Sequence, residues 1–337
     1  MTALKVLFIG GTGIISSAAS ELAARRGMEV TLLNRGQSRR APAEGVEVLT
    51  ADISDAEAVD AALRGREFDV VADMIAFTPD HVQRDIDRFE GRTGQYVFIS
   101  SASAYQKPVA HLPITESTPL RNPHWQYSRD KIACEELLTR AYRDRDFPVT
   151  VLRPSHTYDK WTIPAFGGWT AIDRIRRGEE IVVHGDGTSL WTLTHSTDFA
   201  VGFVGLLGNP LAYGDTFQIT SDFVYTWNEI YSILGRAAGA EPRLRHAPSA
   251  EFERLAPERA GQLTGDMAHS VVFDNTKIRR LVPDFAPTVA LHHAAREIIE
   301  WHDGHPELQR VDPALDAPFT GLLSPSRRGG ADDAATP

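Results

Sequence analysis

LKVLFIGGTGIIS, residues 4–16, is the stretch that decides the fold. Val6, Leu7, Phe8 and Ile9 form an unbroken apolar run too short for a helix, which reads as a buried parallel strand. Gly10, Gly11 and Gly13 follow at once, and Ile15, Ala18, Ala19 and Leu22 then recur at helical spacing. Strand, glycine turn and helix are the context a dinucleotide fingerprint requires. Gly10 permits the sharp turn. Gly13, with Ile14 and Ile15 opening the helix behind it, lets backbone N–H groups approach a pyrophosphate at the positive helix end. Ser16 holds the third small position, where glycine is usual. A strand-to-helix turn without a ligand is the plainer alternative; the flanking strand and helix weigh against it.

Working outward, strand and helix alternate for about 150 residues. Strands are expected at 29–33, 46–50, 68–72, 96–99 and 149–152, with helices near 55–63, 81–89 and 127–142. The expected fold is α/β: a doubly wound parallel sheet of the Rossmann kind, with a smaller C-terminal substrate lobe and ligands at the carboxyl ends of the strands. Residues 1–160 would form the dinucleotide-binding domain and 161–320 the lobe, with 190–220 returning to the sheet. Residues 321–337 read as a disordered tail.

The bulk numbers narrow the function. Hydrophobic residues make up 42 % and charged residues 24 % of the 337, ordinary for a globular protein. A net charge of −10 argues against nucleic acid or an anionic membrane as the main partner. No run approaches the ~18 apolar residues of a membrane span, and no leader is expected before the first strand. Cys134 is the one cysteine, which leaves no internal disulfide and fits a reducing compartment. A cytoplasmic protein is expected.

The second strand ends in Asn34-Arg35-Gly36, with Ser38-Arg39-Arg40 close behind. An acidic residue here would bind the ribose 2′-hydroxyl of NAD, and none is present. Arg35, with Arg39 or Arg40, suits the 2′-phosphate of NADP instead; a solvated basic loop is the alternative. The cofactor is therefore NAD(P), with NADP(H) favoured. By analogy of fold, Asp52 and Ile53 would flank the adenine ring. Ser100-Ser101-Ala102-Ser103-Ala104-Tyr105 follows the fifth strand, where hydroxyls can reach a substrate oxygen or bond their own backbone.

Tyr127 and Lys131 stand four apart on a helix and share one face, which continues through Cys134 and Leu138 toward the interior. An ammonium beside a buried phenol favours phenolate, lowering a pKa of about 10, and such a tyrosine can exchange a proton with a secondary alcohol.

With these residues in place, the chain resembles the short-chain dehydrogenase/reductase superfamily, in its extended or atypical NAD-dependent epimerase/dehydratase branch. The likeness rests on residues 10–16, on 98–105 and on Tyr127-Ser128-Arg129-Asp130-Lys131. Residues 152–158 (LRPSHTY) and 194–200 (THSTDFA) also match later landmarks of the branch. The resemblance implies that Tyr127 is the general acid/base, that Lys131 tunes it and holds the nicotinamide ribose, and that Ser101 binds the reacting oxygen, with Ser103 as backup. Ala102 and Ser103 stand where dehydrating members carry acidic residues, which favours oxidation–reduction or epimerisation over loss of water. Trp191 stands where nucleotide-sugar enzymes commonly place an arginine, and this puts a diphosphate-linked sugar in doubt.

His156, Trp161 and Trp191, with Phe166 and Trp169, would line the substrate site, and Arg174, Arg176 and Arg177 are available for an anionic group. His292, His293, His302 and His305 match no ligand spacing, so no metal is expected. The expected activity is hydride transfer at a secondary alcohol or ketone carbon of a sugar or sugar-nucleotide-like small molecule. A simple NADPH-dependent ketone reductase, or a non-catalytic NADP(H) sensor or RNA-binding relative, is the alternative. A homodimer is the expected assembly.

Overall fold

The computed structural model describes residues 3–255 and 257–323. Six strands form the first part of the central sheet: β1 (Lys5–Ile9), β2 (Glu29–Asn34), β3 (Glu47–Thr50), β4 (Phe68–Asp73), β5 (Thr93–Ile99) and β6 (Val149–Pro154). Four helices alternate with them: α1 (Ile14–Arg25), α2 (Ala56–Leu63), α3 (Pro79–Phe89) and α4 (Gln126–Arg145). The apolar run of β1 is fully buried because β2 and β4 flank it on both edges and helices cover both faces.

Two short strands, β7 (His156–Tyr158) and β8 (Glu180–His184), separated by α5 (Trp169–Arg176), lead away from the sheet. They are followed by β9 (Leu190–His195), α6 (Ser196–Leu206) and β10 (Asp215–Ile219). β10 pairs in parallel with β6, completing a seven-stranded parallel sheet in the order β10-β6-β5-β4-β1-β2-β3. Strand order reverses at β1, and the crevice above that reversal is where doubly wound sheets bind ligands. Of residues 190–220, α6 returns to pack on α1, and β10 returns to the sheet edge. β9 instead joins β7 and β11 (Val224–Thr226) in a separate three-stranded sheet.

The sheet has two apolar faces. One packs against α1 and α6 through Ala19, Ala23, Phe199 and Phe203; the other against α2, α3 and α4 through Val59, Val82, Cys134 and Leu138. A third core belongs to the lobe. It is built from α5, α7 (Trp227–Ala237), α8 (Ser249–Leu255), α10 (Leu291–Asp303) and α11 (Pro313–Leu323), around Trp191, Trp227, Phe252 and Phe319. β12 (Arg243–Ala247) pairs with β8 at its rim, while α9 (Thr276–Leu281) packs on β10. The first three residues of the expected tail close α11, and 324–337 lie outside the described residues. No helix among the described residues is long and apolar enough to cross a membrane.

Candidate active site

A cleft of about 1060 Å³ runs along the carboxyl ends of β1 to β6 and beneath the lobe. At one end lies the glycine turn. Gly10 has φ +83°, and a Cβ there would fall 2.4 Å from Ile75 Cγ2, so only glycine makes this turn without displacing β4's exit. Gly13 caps α1, and its N–H donates to Ser16 Oγ at 2.7 Å. The serine at the third small position thus serves the helix end as well as the packing of helix on strand. Thr12, Gly13, Ile14 and Ile15 all line the cleft, as the fingerprint requires.

Asn34 and Arg35 line the same end, with Asn34 Oδ1 accepting from Gly36 N at 2.9 Å. Asp52 and Ile53 line it too; hydrogen bonds from the Ser54 N–H and hydroxyl hold the Asp52 carboxyl below its ordinary range. Arg39 is not among the lining residues. Arg40 is engaged elsewhere: its guanidinium pairs with Asp159 and lies 5.2 Å over the ring of Trp161. Of the three arginines, Arg35 alone faces the cleft. Gly10, Gly13 and Arg35 thus share one end of the cleft with the N-terminus of α1.

Ser101, Tyr127 and Lys131 meet at the other end. Ser101 ends the loop after β5, and Tyr127 and Lys131 sit one turn apart near the start of α4. Ser101 Oγ lies 2.9 Å from Ser103 Oγ, which accepts from Ser128 Oγ at 2.8 Å, giving Ser101 a buried hydroxyl support. Ser103 also lines the cleft. Beneath, Ser100 Oγ and the Arg153 guanidinium both donate to the buried Glu135 carboxylate.

The expected depression of the Tyr127 pKa is absent. Burial pushes the phenol up to about 12, and the Ser101 hydroxyl pulls it back only in part. Lys131 spends its donors elsewhere, on Ile99 O at 2.6 Å and Ala76 O at 2.7 Å, and burial pulls the amine down to about 8. The phenol is therefore a protonated donor at neutral pH, and the lysine sits near its own titration point.

His156 and Trp191 line the substrate end, joined by a hydrogen bond from Trp191 Nε1 to His156 Nδ1 at 3.1 Å. Burial lowers the His156 pKa to about 4, so the ring is neutral; with Nδ1 accepting, the proton resides on Nε2. Several expected lining residues are elsewhere. Trp161 packs at a tilt against Trp301, Phe166 packs on Phe252, and Trp169 stacks on His302. Arg174, Arg176 and Arg177 pair with Asp316, Asp303 and Asp173. Of the four histidines, His292 packs on His293 and His305 on Trp301; no metal-ready cluster occurs among the described residues.

The family model described as "NAD dependent epimerase/dehydratase family" matches residues 6–93 and 88–219. The chain belongs to that family. A chloroplast stem-loop binding protein of 41 kDa (b) from Arabidopsis thaliana is 27 % identical over 74 % of this chain and 67 % of its own. A UDP-glucose 4-epimerase from Lactobacillus helveticus is 31 % identical over 44 % of this chain and 51 % of its own. Among solved structures, the epimerase Mth375 of Methanothermobacter thermautotrophicus superposes with a TM-score of 0.75 at 17 % identity, covering 91 % of this chain and 94 % of that one. The epimerases and dehydratases of this family are enzymes of the NAD-dependent, short-chain dehydrogenase/reductase type, and the parallel sheet and glycine turn place the chain's fold among them.

Sequence reasoning missed Asp266, Gln262 and Phe273, which the lobe brings into the cleft. They lie in segments without period or motif, so no local signal marked them.

Proposed function

We propose that this chain is an NAD(P)-dependent enzyme that moves a hydride at a secondary alcohol or ketone carbon of a sugar-type metabolite, by epimerisation or net reduction. The convergence of Ser101, Tyr127 and Lys131 on one cleft whose far end is a dinucleotide turn carries this reading. Bound nicotinamide would supply the hydride exchange. Ser101 Oγ and the Tyr127 phenol would hold the reacting oxygen between them. In reduction Tyr127 gives its proton to that oxygen; in oxidation the phenolate takes it back. Lys131, one donor beyond its two carbonyls, would hold the ribose and offset the phenolate charge. NADP(H) is favoured because Arg35 faces the cleft and no acidic residue ends β2.

The experiment is mass spectrometry of small molecules released from purified protein, followed by cofactor turnover with a panel of sugars and ketones. Cofactor retained and regenerated without net consumption marks epimerisation; stoichiometric NADPH loss marks reduction. Cofactor binding with no turnover across the panel would overturn the reading. The stem-loop binding relative supports a second reading, RNA recognition, against which the charge of −10 and the complete Ser–Tyr–Lys set weigh. A gel shift with stem-loop RNA tests it.

A further inference from the structure

Asp266 lies in a single π-turn, Leu263–Met267, that the lobe pushes against the residues just before Tyr127. Such turns concentrate at functional sites. This one is held rigidly. Gly261 has φ +84°, and a Cβ there would fall 2.5 Å from His124 O; a Cβ on Gly265 would fall 3.0 Å from Trp125 Cβ. Asn122 Nδ2 donates to Gly265 O at 2.7 Å and to Ser103 O at 2.9 Å, tying the turn to the serine loop. Met267 O accepts from Trp227 Nε1 and His184 Nε2.

The side chain so positioned lines the cleft and is 16 % exposed. Its Oδ1 lies 3.1 Å from Lys107 Nζ, a fully buried ammonium with no other partner among the described residues. Its Oδ2 accepts no hydrogen bond from the described residues. A buried ion pair adds little to stability over an apolar pair of similar volume. Burial raises the Asp266 pKa above the ordinary carboxyl range and the Lys107 ammonium opposes that rise in part. A carboxyl oxygen left without a partner on a cleft-lining residue is suited to accept from a neutral donor that enters the cleft.

We infer that Asp266 anchors the substrate by accepting a hydrogen bond at Oδ2 from one of its hydroxyl groups, making the substrate a polyol with a hydroxyl beyond the reacting carbon. The assignment rests on the proposed hydride-transfer function. Asp266 fixes which hydroxylated substrate is seated, Lys107 positions Asp266, and the proton exchange stays with Tyr127.

The test uses the full chain loaded with cofactor. D-glucose, D-galactose, their 1-phosphates and their UDP esters are screened as probes, and the probe with the highest kcat/KM is carried forward with its monodeoxy analogues. Asp266→Asn should raise KM at least tenfold, leaving cofactor affinity within about twofold. Because it leaves Lys107 buried and unpaired, the double variant Lys107→Met/Asp266→Leu, which removes both charges, should show the same rise. One deoxy analogue should lose a similar factor with wild type and lose nothing further with either variant. Unchanged KM in a folded variant, or no deoxy analogue whose loss disappears in the variants, overturns the inference alone. If wild type binds cofactor yet turns over no probe, the hydride-transfer reading falls and takes this one with it.

Discussion

Lys131 Nζ lies 5.8 Å from the centre of the Tyr127 ring and donates to two main-chain carbonyls, with no hydrogen bond to the phenol. The pair shares a helix face, as the spacing requires, but burial rather than the amine sets both protonation states. The phenol is held protonated, and the two carbonyls take up two of the three hydrogens of the Lys131 ammonium.

Tyr127→Phe removes the proposed proton carrier and keeps the ring that packs 4.8 Å from Trp125. Turnover should fall by about 10²–10⁴-fold, the usual worth of positioned acid–base catalysis. Cofactor affinity, read by fluorescence titration, should stay within about twofold.

Lys131 offers a pH test with a defined sign. Its folded pKa of about 8 lies below the ordinary 10.5, so between those values the unfolded chain binds the proton that the folded chain has released. Stability therefore rises with pH across this window, and the penalty of the buried ammonium is fully present below about 8. Urea unfolding of wild type and Lys131→Met from pH 7 to 10.5 should show wild type gaining on the variant, by an amount on the order of a few kcal/mol.

His156 gives the mirror case at acid pH. Burial holds it near 4 against an ordinary 6.5, so the unfolded chain protonates first as pH falls through that range. The cost is absent above about 6.5 and complete below about 4. Imidazole ¹⁵N spectra should keep His156 neutral at pH 5.5, protonated on Nε2; Trp191→Phe, which deletes the donor to Nδ1, should mix the tautomers.

Gly10→Ala places a methyl at φ +83° and 2.4 Å from Ile75 Cγ2. We expect a loss of about 1–3 kcal/mol of stability and weaker dinucleotide binding. Thermal unfolding with and without NAD(H) separates the two: the shift on adding cofactor should shrink, beyond the lower starting temperature.

Much of this was legible because it follows from period and local chemistry. Four apolar residues before a glycine turn fixed β1, and the Tyr127–Lys131 spacing fixed which face of α4 looks inward, with boundaries displaced by a few residues at most in α4. The lobe was harder. Trp161 and Trp169 share composition with Trp191, and only long-range pairing sends Trp191 on β9 to the cleft and the other two to Trp301 and His302. Arg174 and Arg176 looked available because their carboxylate partners lie more than a hundred residues away in the chain. The same blindness hid Asp266. A carboxylate missing beside Ser101 argued against elimination of water, yet the fold brings Asp266 into the cleft from 165 residues further on.

The amide of Asn122 grips a carbonyl on each side, Ser103 below and Gly265 above. The loop after β5 and the turn at 263–267 are thereby one mechanical unit. A lobe that swung open at this point would have to carry the serine strand-end with it or break the link. Altered taste for substrate, acquired by changes around 261–267, would therefore travel with altered chemistry at the serine, and the two traits would drift together rather than apart.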